Sequence, residues 1–100
     1  MGEGSEPIRR QVTLTVEQGL HLTPISVLVR HAGKFSCRIT LTFDGRVADA
    51  RSVYDLMLLG APCGSIMTLE TDGSDAEAAA DHIEKLFLEE FQVPPAAENT

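Results

Sequence analysis

Two stretches of the chain, residues 11–16 and 36–43, alternate apolar and polar residues, a period of two that is typical of half-buried β-strands. Two more strands are predicted at residues 46–50, which return from a hairpin turn, and at residues 65–71. The apolar positions expected to face a core in the first two stretches are Val12, Leu14, Val16, Cys37, Ile39, Leu41 and Phe43. The apolar residues of the last stretch are Ile66, Met67 and Leu69. Asp44-Gly45, between the second and third stretches, predicts a tight hairpin turn.

Three segments between or after these strands have the period of amphipathic helices. The first has Pro24 in its opening turn, where the amide hydrogen that proline lacks would have no helical partner, and it ends near Gly33. Its expected core positions are Ile25, Leu28, Val29 and Ala32. The second covers residues 52–59, where Ser52 and Asp55 form a capping box and Gly60 ends the helix.

A second capping-box pair, Ser74 and Glu77, predicts the start of the last helix. The residues that this helix is expected to bury are Ala76, Ala79, Ala80, Ile83, Leu86 and Phe87. Phe91 is expected to make a last core contact before Pro94-Pro95 and a polar tail.

The predicted elements follow in the order βαββαβα and form one domain over residues 1–100. A chain of this length supports a single two-layer core. An antiparallel sheet with all helices on one face buries every amphipathic element, so we predict an open-faced two-layer α/β sandwich of the α+β class. The core covers about residues 10–91, and residues 1–7 and 94–100 are expected to be flexible tails.

The net charge of −7 argues against nucleic acid as a partner, because nucleic-acid binding requires a clustered basic surface. No apolar run is long enough to span a bilayer, and the first residues do not form a signal peptide. We therefore expect a cytoplasmic protein that does not insert into the membrane. No metal-ligand spacing is present, and no metal or organic cofactor is indicated.

The two cysteines fall in no CxxC or metal-binding spacing. Cys37 belongs to a strand pattern and is expected in the core, whereas Cys63 lies in a turn and is expected to be exposed. The sequence leaves a disulfide between them open, although the absence of an export signal favours reduced thiols.

The segment of residues 17–24 joins the first strand to the first helix and contains His21. Its position three residues before Pro24 places it at or just before a helix N-terminus, where unpaired amides and the helix dipole favour anions such as phosphate. An imidazole there has a lone pair for nucleophilic attack. On this local spacing alone, a role in capping or loop packing is favoured over chemistry. His31 and His82 are expected to be solvated.

Several short motifs together resemble the HPr family, the histidine phosphocarriers of the sugar phosphotransferase system. They are Gly19-Leu20-His21, Pro24, Arg51-Ser52-Val53 and Leu59-Gly60. The likeness runs in order and with similar spacing from about residue 10 to residue 91. It implies the family's fold, with four strands in the order 1-4-2-3.

The resemblance also implies a bacterial phosphocarrier in sugar transport and its regulation. His21 would receive a phosphoryl group on Nδ1 from an enzyme I that phosphoenolpyruvate has charged. It would then pass the group to a permease subunit or a regulatory protein. Such a chain is a relay in phosphotransfer rather than a turnover enzyme, and we expect it to be a monomer.

The chain departs from the family at Thr23, which stands where the family has an arginine before the proline. A guanidinium holds a phosphate through two charge-assisted hydrogen bonds, whereas a threonine hydroxyl offers one neutral donor. We expect phosphotransfer slower by on the order of tenfold to a hundredfold, or lost. Arg30 lies about two helical turns further on, which is too remote for it to substitute for the family's arginine.

Ser52 matches the serine that a dedicated kinase phosphorylates in some members of the family. Capping and regulation are compatible roles, because a phosphate is electrostatically favoured at a helix N-terminus. The partner surface is predicted from apolar residues near His21, namely Leu22, Val53, Tyr54, Met57 and Leu58. Alternatively, Leu56 and Leu59 face the core and the others only cover the helix edge. Asp55 would weaken docking to an acidic partner.

Two functional hypotheses therefore stand. In the first, the chain is a phosphocarrier that uses His21. In the second, it is a regulatory or protein-binding module of the same fold, with weak or no transfer because of Thr23. A third interpretation, an unrelated structural domain, requires that the ordered motifs coincide by chance.

Overall fold

The computed structural model describes residues 6–92 and contains four strands and three helices within that range. Along the chain they are β1 (Ile8–Thr13), α1 (Leu22–Ala32), β2 (Arg38–Phe43), β3 (Arg46–Asp49), α2 (Val53–Leu59), β4 (Ile66–Asp72) and α3 (Ala76–Leu88). The order βαββαβα is confirmed. The flexible tails predicted for residues 1–7 and 94–100 fall, apart from Glu6 and Pro7, outside the described residues.

The four strands form one antiparallel sheet in the order β1-β4-β2-β3, as the resemblance implied. Val12 of β1 pairs with Met67 of β4, and Leu41 of β2 pairs with Leu69 of β4. These four side chains are buried, so the strands place their apolar faces on the same side of the sheet. Asp44-Gly45 forms the predicted hairpin turn between β2 and β3, and both residues have positive φ.

The helices pack on this apolar face and close a single core. All six residues predicted to face the core from α3 are buried, and Phe91 packs on Phe87 with ring centroids 4.8 Å apart. α1 buries a wider stripe than its pattern predicted, because it contacts both α2 and α3. That stripe includes Val27, whereas Val29 is only half-buried.

The predicted capping box at Ser74 and Glu77 is wrong, because α3 begins at Ala76 with Asp75 in the N-cap position. The Asp75 side chain makes no cap hydrogen bond. Its two carboxylate oxygens instead accept the backbone amides of Ser36 and Cys37, at 2.8 and 2.9 Å. The Ser36 amide, followed by other hydrogen bonds, lowers the pKa of Asp75. Asp75 thus joins the start of α3 to the entry of β2, which begins at Arg38 rather than at residue 36.

Two strand predictions also need correction. β1 covers Ile8–Thr13 rather than residues 11–16. It begins earlier because residues 69–71 of β4 pair with residues 8–10, and it ends at Thr13, which pairs with Ile66 at the start of β4. Ile66 does not contribute to the core and is 61% exposed. The alternation of β4 places Met67, Leu69 and Thr71 inward, so Ile66 falls on the open face of the sheet.

His31 and His82 were predicted to be solvated, and this is wrong. His31 is only 7% exposed, because it lies one turn after Val27 and Leu28 on the buried stripe of α1. Its Nδ1 lies 2.7 Å from Nε2 of His82, which is half-buried on α3. The sequence pattern of α1 alone does not reveal that a second helix covers this position.

Both cysteines are free, so the disulfide that the sequence left open is not formed. Cys37 is buried and Cys63 is exposed, as predicted. Burial, assisted by a hydrogen bond to Asp75, raises the pKa of the Cys37 thiol to about 11, which keeps it protonated at neutral pH. Within residues 6–92, no helix has the length and apolar character needed to cross a membrane.

Candidate functional site

His21 occupies the N-cap position of α1, as the sequence predicted for a residue at or just before a helix start. Its backbone is extended, and its carbonyl oxygen accepts the Ile25 amide at 3.1 Å, the first hydrogen bond of the helix. The imidazole makes no cap hydrogen bond and has no hydrogen-bond partner among residues 6–92. The ring is half-exposed. The backbone of His21 therefore starts the helix, while its side chain is left for other chemistry.

A tight loop before α1 fixes the position of His21. The Gly19 amide donates to the Val16 carbonyl and the His21 amide to the Gly19 carbonyl, both at 2.9 Å. Leu20 is buried, and its amide donates to the Ala61 carbonyl at 2.9 Å. Gly19 has φ +77°, a conformation that favours glycine. The loop is thus hydrogen-bonded to the segment after α2. The sequence did not predict this contact, and its one indication there is the glycine at position 19.

The first turn of α1 adds backbone donors beside His21. The amides of Leu22 and Thr23 belong to the first turn and have no acceptor within the helix. Pro24 follows in the third helical position, is buried and has no amide hydrogen to leave unpaired. The free amides and the positive end of the helix dipole favour an anion next to the His21 ring.

Thr23 stands at the position where the family has an arginine. Thr23 is exposed and neutral. Two arginines that precede α2 make structural contacts: Arg46, in β3, donates to the Leu58 carbonyl at 3.1 Å, and Arg51 donates to the Phe35 carbonyl. Arg30 lies seven residues along α1 from Thr23. A phosphate at His21 would therefore be held by neutral donors at this position.

The five predicted partner-surface residues are all exposed, and we call them the apolar patch. They are Leu22, Val53, Tyr54, Met57 and Leu58. Leu22 is the first residue of α1, next to His21, and the other four lie on α2, which packs against α1. Leu56 and Leu59 face the core, which fixes the outward side of α2. Tyr54 is 71% exposed, so most of its side chain is available to a partner.

Ser52 caps α2, as predicted. Its Oγ accepts the Asp55 amide at 3.1 Å. The capping box is only half formed, because the Asp55 carboxylate does not accept the Ser52 amide. It accepts the Asp49 amide at 3.2 Å instead, and the Ser52 amide donates to the Asp49 carbonyl. α2 ends at Gly60 in the left-handed conformation, as expected. Ser52 itself is half-exposed, so its hydroxyl combines a structural role with access from solvent.

The described residues contain no group of three or more histidine, cysteine or acidic side chains that could hold a metal ion. The imidazole of His21 beside the free backbone amides of the first turn can act as a nucleophile.

Comparison with known proteins gives a consistent result. A family model described as "PTS HPr component phosphorylation site" matches residues 8–89. The phosphocarrier protein HPr of Vibrio cholerae is 36% identical over 78 residues, which cover 78% of this chain and 92% of that protein. The HPr of Cupriavidus necator is 36% identical over 84 residues, covering 84% of this chain and 94% of that protein.

Solved structures agree with the sequence relatives. The crystal structure of an HPr from Bacillus anthracis superposes with a TM-score of 0.77 at 30% identity, covering 81% of this chain and 96% of that chain. The histidine-containing phosphocarrier protein of a mycoplasma superposes with a TM-score of 0.78 at 29% identity, covering 82% of this chain and 93% of that chain.

Proposed function

This chain belongs to the HPr family, the phosphocarriers of the bacterial phosphotransferase system, and on that premise we propose that His21 is its phosphoryl acceptor. The observation that carries the proposal is the half-exposed imidazole with no hydrogen-bond partner among residues 6–92, next to the free amides of Leu22 and Thr23. The family's partners are an enzyme I and sugar-specific components. The donor for this chain is then an enzyme I charged by phosphoenolpyruvate.

The proposed transfer needs no cofactor. The lone pair of His21 Nδ1 attacks the phosphorus of the charged donor, and the bond from phosphorus to the donor breaks, leaving the electron pair with the donor. The amides of Leu22 and Thr23 donate to the phosphoryl oxygens, while the buried Pro24 keeps the first turn of α1 in place. In the second transfer, a nucleophile of a permease subunit or a regulatory protein attacks the phosphorus. The bond from Nδ1 to phosphorus breaks, and its electron pair returns to His21.

Thr23 sets the expected rate of this transfer. A neutral hydroxyl replaces a guanidinium that would form charge-assisted hydrogen bonds to the phosphoryl oxygens. Each such bond exceeds a neutral one by roughly 0.5–2 kcal/mol, and a guanidinium can form two of them. A total loss of about 1–3 kcal/mol corresponds to a rate lower by on the order of tenfold to a hundredfold. The chain then acts as a slow carrier.

The apolar patch is the proposed docking surface for both donor and acceptor. Large exposed apolar side chains, at Leu22 next to His21 and on the adjacent helix α2, suit the centre of a protein interface. Asp55 lies in the same helix and adds negative charge, which disfavours acidic partners. We further propose that the carrier is a cytoplasmic monomer.

A second candidate function is that of a regulatory module. The half-exposed Ser52 at the start of α2 supports it, because a phosphate there adds charge beside the apolar patch and changes docking. Thr23 supports it as well, since a chain that transfers slowly can still bind partners.

The rate of phosphoryl uptake from charged enzyme I separates the two functions. We expect wild type to be charged slowly and Thr23→Arg to be charged on the order of tenfold to a hundredfold faster. If only Thr23→Arg is charged, the site is intact in geometry and the regulatory function is favoured. If both are charged at equal rates, Thr23 does not limit transfer.

A further inference from the structure

The pair formed by His31 and His82 lies outside the phosphocarrier site and has a specific geometry. Nδ1 of His31 and Nε2 of His82 are 2.7 Å apart, and the two ring planes differ by only 20°. The ring centroids are 4.9 Å apart, close to the nitrogen–nitrogen distance plus the two ring radii. The rings therefore face each other edge to edge and nearly in one plane, the arrangement of a direct N–H···N hydrogen bond.

This hydrogen bond joins two helices that are far apart in sequence. His31 is buried in the last turn of α1, and His82 is half-buried in α3. Phe35, which follows α1, packs against the His82 ring with centroids 5.6 Å apart. The pair is thus partly shielded from water, where a direct hydrogen bond contributes more than at a fully wet surface.

A proton count limits the states in which this bond can exist. In the neutral pair each ring carries one proton, and one facing nitrogen donates while the other accepts. A first added proton can sit on an outer nitrogen and leaves the bond intact. After a second, both facing nitrogens carry hydrogen and neither can accept. We propose that His31 and His82 form an acid-sensitive latch between α1 and α3, which opens when the pair takes up its second proton.

The charges around His82 favour the closed state. Lys34 lies in the turn after α1 and Lys85 one turn further along α3, while Glu89 just after α3 acts in the opposite sense. Burial, followed by the repulsion from the two lysines, lowers the pKa of His82 below its usual 6.5. Because the two rings share a proton site, their titration belongs to the pair.

The direction of the pH dependence follows from this lowered pKa. As the pH falls below about 6.5, the unfolded chain binds a proton at this histidine before the folded chain does. The latch therefore stabilises the folded chain fully above about pH 6.5. This stabilisation is lost as the pH falls through the lowered pKa of His82 in the folded chain. The latch lies at the C-terminal end of α1, whose N-terminal cap is His21. Acid thus loosens the helix that presents the phosphoryl acceptor.

The first test is thermal unfolding of the full chain at pH values from 7.5 to 5, for wild type and His82→Gln. Glutamine retains a hydrogen-bonding group but does not titrate. We expect the melting temperature of wild type to exceed that of the variant at pH 7.5, and this lead to shrink by on the order of 5 °C by pH 5. Leu88→Ser is the control, since it changes an exposed, non-titrating residue of the same helix α3 and should keep the wild-type pH profile. Parallel profiles for wild type and His82→Gln would overturn the latch.

A second measurement needs no variant of the pair. Nitrogen-15 NMR of wild type reports the protonation of both rings during an acid titration. We expect the signals of His31 and His82 to move together in two coupled steps, with faster amide exchange in the last turn of α1 after the second step. Two independent single-step titrations, with no change in the amide exchange of α1, would contradict the proposal. Because this measurement uses wild type, it still tests the latch if His82→Gln does not fold.

Discussion

Gly19 lies so close to Ala61 that a methyl group on Gly19 would come within 2.7 Å of the Ala61 carbonyl oxygen. That oxygen accepts the Leu20 amide, so the close approach and the hydrogen bond belong to the same contact. Two residues later, His21 begins α1. The position of the phosphoryl acceptor therefore depends on a contact between the loop before α1 and the segment after α2.

Replacing Gly19 by alanine should disturb this contact. The new methyl group would strike backbone atoms, and alanine would be strained at φ +77°. We expect a loss of at least about 1–3 kcal/mol in the free energy of unfolding, measured by urea denaturation, and slower phosphorylation of His21. Gly33→Ala is the matched control, because its φ is negative and the nearest atoms to the added methyl are 3.5 Å away. Equal effects of the two substitutions would argue against the role assigned to Gly19.

Ser52→Ala should separate the structural role of Ser52 from its proposed regulatory role. The substitution removes the Oγ that accepts the Asp55 amide, which should lower the free energy of unfolding by about 0.5–2 kcal/mol. Phosphorylation of His21 should continue, because Ser52 is not part of the acceptor site. Ser26→Ala, at an exposed position in α1, should show no comparable loss. If Ser52→Ala were as stable as wild type, the cap would not contribute as the structure indicates.

The docking role of the apolar patch can be tested with two exposed leucines. Leu58→Ser alters the patch on α2, whereas Leu88→Ser alters the exposed end of α3. Neither should cost more than about 0.5 kcal/mol of stability. We expect Leu58→Ser to raise the KM for this carrier in the enzyme I reaction several-fold and Leu88→Ser to leave it unchanged. The reverse result would move the docking surface from α2 to α3.

Asp75 gives a pH-dependent prediction. In Asp75→Asn one of the two oxygens becomes an NH2 group, which cannot accept the amide of Ser36 or Cys37. The pKa of Asp75 is lowered in the folded chain, so its contribution is present above the usual value of 3.8 and is lost as the pH falls through the lower folded value. The urea midpoint of Asp75→Asn should therefore lie below that of wild type at pH 7 and approach it as the pH falls below 3.8. Asp72→Asn, at an exposed position, is the control. If the difference in urea midpoint between wild type and Asp75→Asn did not change with pH, the Asp75 carboxylate would not stabilise the fold in the way described.

The sequence predicts the parts of this fold that depend on local chemistry. The period of two locates β1 and β2, Asp44-Gly45 locates the hairpin that leads into β3, and Ser52 with Gly60 marks the ends of α2. It fails where a distant element decides the outcome. Asp75 faces Ser36 and Cys37 across the fold instead of capping its helix through Ser74 and Glu77.

The candidate site shows the same division. The N-cap position of His21 follows from the turn before it and from Pro24 after it, because both act within a few residues. Its role as acceptor is predicted only from the resemblance to the HPr family. The support that Ala61 gives to the loop is invisible in the sequence, since it joins segments 41 residues apart through a backbone oxygen. The contact of His31 with His82 is equally hidden, because it depends on how α1 lies against α3.

The most direct test of the central claim is intact-mass spectrometry after incubation with phosphoenolpyruvate and a phosphotransferase-system enzyme I from the same cell. We predict one acid-labile phosphoryl group on wild type, a faster gain on Thr23→Arg, and none on His21→Ala, which should remain folded by circular dichroism. A phosphoryl group on His21→Ala equal to that on wild type, or none on wild type and Thr23→Arg with this donor, would contradict the assignment of His21 as the acceptor.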